Sequence, residues 1–148
     1  MSTLNIIKEP DPFLRQISKP VKEFTPRIHE ILDDMADTME RKNGIGIAAV
    51  QVGILYRIAI LKTHEFGNLE IINPEILEES QYKMGVEGCL SCPNKTGKVK
   101  RPHKMKLSFF NRNKERQTAE LKGLDAVIAS HEIDHLNGIL FIDKLENG

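Results

Sequence analysis

Leu124-Asp125-Ala126-Val127-Ile128-Ala129-Ser130-His131-Glu132-Ile133-Asp134-His135-Leu136-Asn137 is the stretch that decides the fold. Leu124, Val127, Ile128 and His131 recur at helical spacing, and Gly138 follows as a helix-ending residue. On such a helix His131 and His135, four residues apart, share one face. Two imidazoles on one face can hold a single metal ion. Glu132 stands beside the first of them, where a general base for a water on that metal is needed. The His-Glu-x-x-His pattern supplies only two ligands and a base. A catalytic metal therefore needs a third protein ligand from elsewhere in the chain. Without one, the pair reads as two ordinary histidines on a helix.

Upstream of this helix the chain reads as strands. Met105, Leu107 and Phe109 alternate with Lys106 and Ser108 in a half-buried strand, Asn111–Lys114 is a polar turn, and Arg116–Leu121 is a second strand. Tyr56–Leu61 and Leu69–Ile72 are strands joined by a turn at His64–Asn68, and Asn73-Pro74 is expected to end the second. Before them lies a helix. Thr25-Pro26 starts it with a hydroxyl cap and a proline at the first helical position, and Asn43-Gly44 stops it. Ile28, Ile31, Leu32, Met35 and Met39 form its apolar stripe, and its acidic side reads as a solvated face. Residues 1–24, punctuated by Pro10, Pro12 and Pro20, read as an extended segment wrapping the domain, held by Ile6, Ile7, Phe13, Leu14 and Val21. A helix, several strands and a helix indicate an α+β fold with antiparallel sheets packed around the C-terminal helix. There is no repeat or linker, so residues 1–148 are expected to form a single domain.

Composition narrows the function. The 148 residues are 40% apolar and 28% charged, which suits a soluble globular protein. A formal net charge of +0 gives no bias toward nucleic acid, membrane surface or acidic substrate, and no direct binding to nucleic acid or membrane is expected. No run approaches the ~20 apolar residues of a membrane-spanning helix. Met1 to Pro12 lacks a basic region followed by an apolar one, so it does not read as a secretory signal. Two cysteines make no disulfide scaffold, which favours a reducing cytoplasm.

The third ligand must come from Cys89, Cys92, His29, His64, His103 or a carboxylate. His29 reads as a surface histidine, and His64 and His103 lie in polar or basic surroundings. Glu87-Gly88-Cys89-Leu90-Ser91-Cys92-Pro93 differs, because thiolate is a strong ligand for zinc or ferrous iron. Ligation by both cysteines would make a closed, structural site. Pro93 lacks the N–H that would bond to sulfur in a metal knuckle, and in extended chain positions three apart diverge. One-cysteine ligation is favoured over two, with Cys89, after the glycine, as the ligand. A His-His-Cys set leaves one coordination position open, which suits metal-assisted amide hydrolysis with Glu132 moving the proton. One further stretch stands out, Gly44-Ile45-Gly46-Ile47-Ala48-Ala49-Val50-Gln51-Val52-Gly53. It fits a dinucleotide fingerprint only superficially, since it follows a helix rather than a strand. The better reading is a backbone passing close to something. Its one polar side chain, Gln51, either satisfies buried backbone groups or donates a hydrogen bond into a cleft.

Three motifs in this order carry a family resemblance: Gly44–Gln51, Glu87–Ser91 and His131-Glu132-Ile133-Asp134-His135-Leu136. Pro10–Arg15, Val99–Pro102 and Gly138–Asp143 support it. The chain resembles a peptide deformylase over nearly its whole length. The resemblance implies removal of the formyl group from N-formylmethionine on nascent chains. It implies Cys89, His131 and His135 as ligands of one divalent metal, Fe(II) with Zn(II) or Ni(II) as substitutes, and Glu132 as general acid/base. It further implies that the Gln51 side-chain amide and the Leu90 backbone N–H stabilise the oxyanion. Gly46 would position the substrate, and Ile45, Leu124, Val127, Ile128 and His131 would line the methionine pocket. Partners would be N-formylmethionyl peptides, with the ribosome near its exit tunnel as a candidate. Cys92 stands where the family commonly has Val or Ile, and it is expected to pack as a small hydrophobe. The chain ends five residues past Asp143 (148 − 143), without the tail with which many members continue. The alternatives are a zinc peptidase, whose third ligand would be a His or Glu after His135, and a non-enzymatic structural metal-binding domain with a closed site.

Overall fold

A computed structural model describes residues 3–146. Met1 and Ser2, assigned above to the expected wrapping segment, lie outside the described residues, as do the last two positions of the expected 1–148 domain. The elements in order are α1 (Pro26–Arg41), β1 (Gly46–Ala48), β2 (Ile58–Thr63), β3 (Gly67–Cys89), β4 (Cys92–Phe110), β5 (Arg116–Lys122) and α2 (Leu124–Leu136), with short 3-10 turns between some of them. The strands form one five-stranded sheet in the order β1-β2-β3-β4-β5, every pair antiparallel. The α+β class with antiparallel pairing holds, as one sheet rather than several.

The packing follows from the side-chain alternation of strands. In β2, Ile58 and Ile60 face one way and join Ile28, Ile31, Leu32, Met35 and Met39 of α1. Ala59 and Leu61 face the other way and join Ala126, Ile128, Ala129, Ile133 and Leu136 of α2. A strand covered on both faces needs an unbroken apolar run, and Ile58-Ala59-Ile60-Leu61 supplies one. α1 begins after Thr25, although the Thr25 side chain makes no capping bond. It ends where Asn43 turns left-handed at φ 56°, and Gly44 N–H closes on Met39 O at 2.9 Å. The acidic face of α1 is partly paired, with Asp33 accepting from Arg112 at 2.8 Å and Glu40 3.5 Å from Lys62.

The largest difference from the sequence reading lies in β3. Asn73-Pro74 does not end the strand, which continues to Cys89 and forms one long hairpin with β4. The register slips between Ile72 and Glu75, so the proline falls in a bulge where its missing N–H breaks no ladder bond. Asn73 takes φ 52°, and its side chain accepts from Val21 N–H at 2.8 Å and donates to Val21 O at 2.9 Å. The wrapping segment is tied down as expected, with Leu14 fully buried and Ile6, Ile7, Phe13 and Val21 each in an apolar cluster. It includes a 3-10 turn at Pro12–Arg15 that the prolines alone do not reveal.

Candidate active site

Three distant pieces of chain converge beside α2. The first is β1 and the 3-10 turn after it. A Cβ on Gly46 would lie 2.6 Å from Glu132 Oε2, so only glycine lets the strand pass the carboxylate. This is the close approach that the glycine-rich stretch implies. Gln51, 1% exposed, accepts at Oε1 from the Ala48 N–H at 2.8 Å. That bond fixes the amide so that Nε2 points at the second piece, donating to Ser91 Oγ at 3.1 Å and reaching Cys89 Sγ at 3.6 Å. One end of Gln51 therefore satisfies backbone, and the other is bonded to the turn that carries Cys89.

The second piece is the end of the β3–β4 hairpin. Cys89 and Cys92 flank its two-residue turn, Leu90-Ser91, and are direct cross-strand partners. They are not spaced as in extended chain, because the turn makes them Cα partners across the hairpin. Cys92 nevertheless stays out of the donor group and packs with Leu14, Val99, Leu140 and Phe141. Burial, and then the charge of Cys89, push its thiol up to about 11, so it stays neutral.

The third piece is α2, which presents His131, Glu132 and His135. One donor atom each from Cys89, His131 and His135 lies within 4.8 Å of the others. Cys89 Sγ is 3.3 Å from His135 Nε2 and accepts from the Ser91 N–H at 3.4 Å. His29, His64 and His103 are not in the group; His29 instead meets Arg112 O at 2.9 Å.

Behind the donors lies a network whose roles the sequence reading misses. Glu87 Oε1 is 3.0 Å from His131 Nδ1 and accepts its proton, so Nε2 is the nitrogen at which a metal would replace a proton. Arg101, 1% exposed, donates to Glu87 at 2.9 and 3.1 Å, to Ser130 Oγ at 3.2 Å, and to Asp134. Burial would raise the Glu87 carboxyl, but hydrogen bonds from His131 and Arg101 prevail and hold it at about 2. Glu87 could have been flagged by its place beside the Gly-Cys pair. Arg101 lies in the Val99–Pro102 stretch that supports the resemblance, but with exposed Lys98, Lys100 and Lys104 around it nothing in the local pattern marks it as buried.

The residues fit a cation. Burial works against charge on His131, yet hydrogen bonds with Cys89 and Glu87 and the charge of Glu132 outweigh it and raise its pKa to about 10. Surroundings that hold a proton there so firmly also favour a divalent ion. Burial pulls His135 well below its ordinary value, which keeps it a neutral ligand. Burial also pushes Glu132 up to about 7, in the range of a group that takes and returns a proton near neutrality. Its Oε1 has no hydrogen-bond partner among the described residues. In front of these groups is a cavity of about 480 Å³. Ile45, Gly46, Gln51, Cys89, Leu90, Leu124, Val127, Ile128, His131 and Glu132 all line it, joined by Asn43, Gly44, Val86, Glu87 and Gly88.

Two imidazoles and one thiolate leave a coordination position open, which separates catalytic from structural metal sites and classes the protein with metal-dependent hydrolases. Comparison with known proteins narrows the class. The family model described as polypeptide deformylase matches residues 3–148, and the chain belongs to that family. Peptide deformylase of Carboxydothermus hydrogenoformans is 44% identical over 147 residues, 99% of this chain and 96% of that one. The crystal structure of peptide deformylase from Thermotoga maritima superposes with a TM-score of 0.95 at 36% identity, covering 99% of this chain and all of that one. A class I type b peptide deformylase from Acinetobacter baumannii, crystallised with Met-Ala-Ser bound, gives a TM-score of 0.93 at 35% identity over 98% of this chain and 100% of its own. No helix among the described residues is long and apolar enough to cross a membrane.

Proposed function

We propose that this protein hydrolyses the formamide of N-formylmethionyl peptides, releasing formate and a free amino terminus. The observation that carries the reading is the Cys89-His131-His135 donor group at a cavity bordered by Glu132 and Gln51. Cys89, His131 and His135 hold the metal, and ferrous iron is the proposed native ion, with zinc or nickel as substitutes. When bound, a divalent ion there supplies Lewis acidity, polarising a carbonyl and making water nucleophilic at neutral pH.

The rest is done by side chains and backbone of this chain. Ile45, Leu124, Val127, Ile128 and the His131 ring take the methionine side chain, and the Gly46 backbone aligns the peptide so that the formyl group faces Glu132. Glu132 accepts a proton from water at its carboxylate and passes it to the departing amine. Gln51 Nε2, aimed by the bond from Ala48 to its Oε1, and the Leu90 N–H donate to the oxygen on which negative charge develops. Glu87 and Arg101 keep His131 in one tautomer and orientation. Residues 1–148 act as a single catalytic domain, in the cytoplasm where formylated nascent chains arise, with the ribosome near the exit tunnel as the place of encounter.

The zinc-peptidase alternative needs a His or Glu ligand after His135, whereas the third donor of the group is Cys89. An anaerobic assay tests the proposal: formyl-Met-Ala-Ser should yield formate, with the peptide bonds intact. Metal-loaded protein that releases no formate, or that cleaves an internal peptide bond instead, overturns it. Elemental analysis of protein purified without oxygen tests iron.

A further inference from the structure

The hairpin places two thiols together for which the proposed hydrolysis needs only one. Cys89 and Cys92 flank the Leu90-Ser91 turn as paired residues of β3 and β4, just past a register shift that follows Glu87. Such partners have Cα atoms about 4.5–5.5 Å apart and side chains on one face of the ladder. A disulfide accepts Cα separations of about 4.4–6.8 Å. Both thiols are free, and Cys89 packs against the cluster that contains Cys92. Their accessibility differs. Cys89 borders the cavity, open to a small solute, whereas Cys92 is 1% exposed. An oxidant therefore meets Cys89 first, and the modified sulfur has a second thiol across the turn.

We propose that Cys89 and Cys92 form a reversible disulfide site, with peroxides as the oxidant class. The Cys89 sulfur attacks one peroxide oxygen; an S–O bond forms, the O–O bond breaks, and water or an alcohol leaves. Cys92 then attacks the Cys89 sulfur. The S–S bond forms, the S–O bond breaks, and the oxygen departs as water with the Cys92 proton. Two thiols lose two electrons and the peroxide gains them. Bond formation is independent of the proposed activity. Its consequence for metal rests on that reading: the disulfide removes the thiolate from the Cys-His-His group. Cys92 thus holds Cys89 at an oxidation level that a thiol reductant reverses, short of the sulfinic and sulfonic acids.

The test uses the full chain, metal-free and cobalt-loaded, treated with hydrogen peroxide in slight excess. The expected product of the metal-free protein is lighter by two hydrogens, monomeric, without alkylatable thiol, and restored by a phosphine reductant. It should lack thiolate-to-cobalt absorption until reduced. In Cys92→Val, Cys89 should instead gain two or three oxygens irreversibly, and Cys92→Ser should do the same if the valine variant does not fold. The proposal is overturned if wild-type Cys89 gains oxygens while Cys92 stays alkylatable, or if intermolecular dimers dominate. Absence of cobalt absorption in the reduced protein would count against the metal reading alone, and the mass result would still decide the disulfide.

Discussion

Glu132 is confined on two sides, with Gly46 against its carboxylate and low-dielectric burial around it. Glu132→Ala should keep full metal content while kcat falls about 10²- to 10⁴-fold, the range for removing a general acid/base. Unchanged turnover would take Glu132 out of the reaction. Gly46→Ala tests the confinement itself. The added methyl would stand 2.6 Å from Oε2, so the carboxylate must move, and a displacement near 1 Å is expected to cost about 100-fold in kcat. Metal content should not change, and wild-type kcat would mean that the strand yields instead. Glu87 makes a different prediction, on acid stability. Its folded carboxyl sits at about 2 against an ordinary 4.5, so between those values the unfolded chain binds the extra proton. The stability it contributes is complete above the ordinary value and drains away as pH falls toward the folded one. The urea midpoint of metal-free protein should therefore drop between about pH 5 and about pH 3, and Glu87→Gln should flatten that part of the profile.

Among the elements, the long hairpin carries most of what local pattern does not disclose. Arg101 joins it to α2 through Ser130 and Asp134, and steadies Glu87, which itself bonds His131. Arg101→Met leaves Glu87 and Asp134 without this partner at a buried place and should cost about 3–5 kcal/mol in chemical denaturation. A loss under about 1 kcal/mol would mean that the carboxylates find other partners. Asn73 joins the bulge of β3 to the wrapping segment by two bonds to Val21. Asn73→Ala should lose about 2 kcal/mol, with part recovered in Asn73→Gly because the backbone there is left-handed. Turnover should stay near wild type in both. α1 and β5 are legible because each buries a periodic apolar face, and the core of β2 because an unbroken apolar run suits a strand covered on both sides. α2 is legible from its helical spacing and the Gly138 stop, although Leu124 of its apolar stripe is exposed. The reach of β3 past Pro74 is not, because Glu75–Val86 is mostly exposed and its ladder is fixed by pairing with β4 rather than by its own pattern. The donor histidines and Cys89 are legible from residue chemistry and spacing. The facing of Cys89 and Cys92 is not, because it depends on where the hairpin turns.

For the molecule as a whole, the donor group is shared between a hairpin and the last helix, so a metal bound there stabilises the assembled state. Zinc or cobalt at about 100 times its dissociation constant should add about 2.7 kcal/mol to unfolding stability, and a chelator should remove it. A melting temperature indifferent to both would mean that the three donors do not bind together. The sheet itself follows the chain: each strand pairs with its sequence neighbour, from β1 to β5. Successive hairpins can therefore zip before α2 docks, whereas Cys89 and His131 meet only across 42 positions (131 − 89). Synthesis runs from the amino terminus, so the histidine ligands emerge after the cysteine they join. Metal capture is then a clock for the final docking event. In refolding from urea, the cobalt–thiolate band should lag the circular-dichroism signal of the sheet, and a chain halted before α2 should pair its strands while remaining blind to the ion.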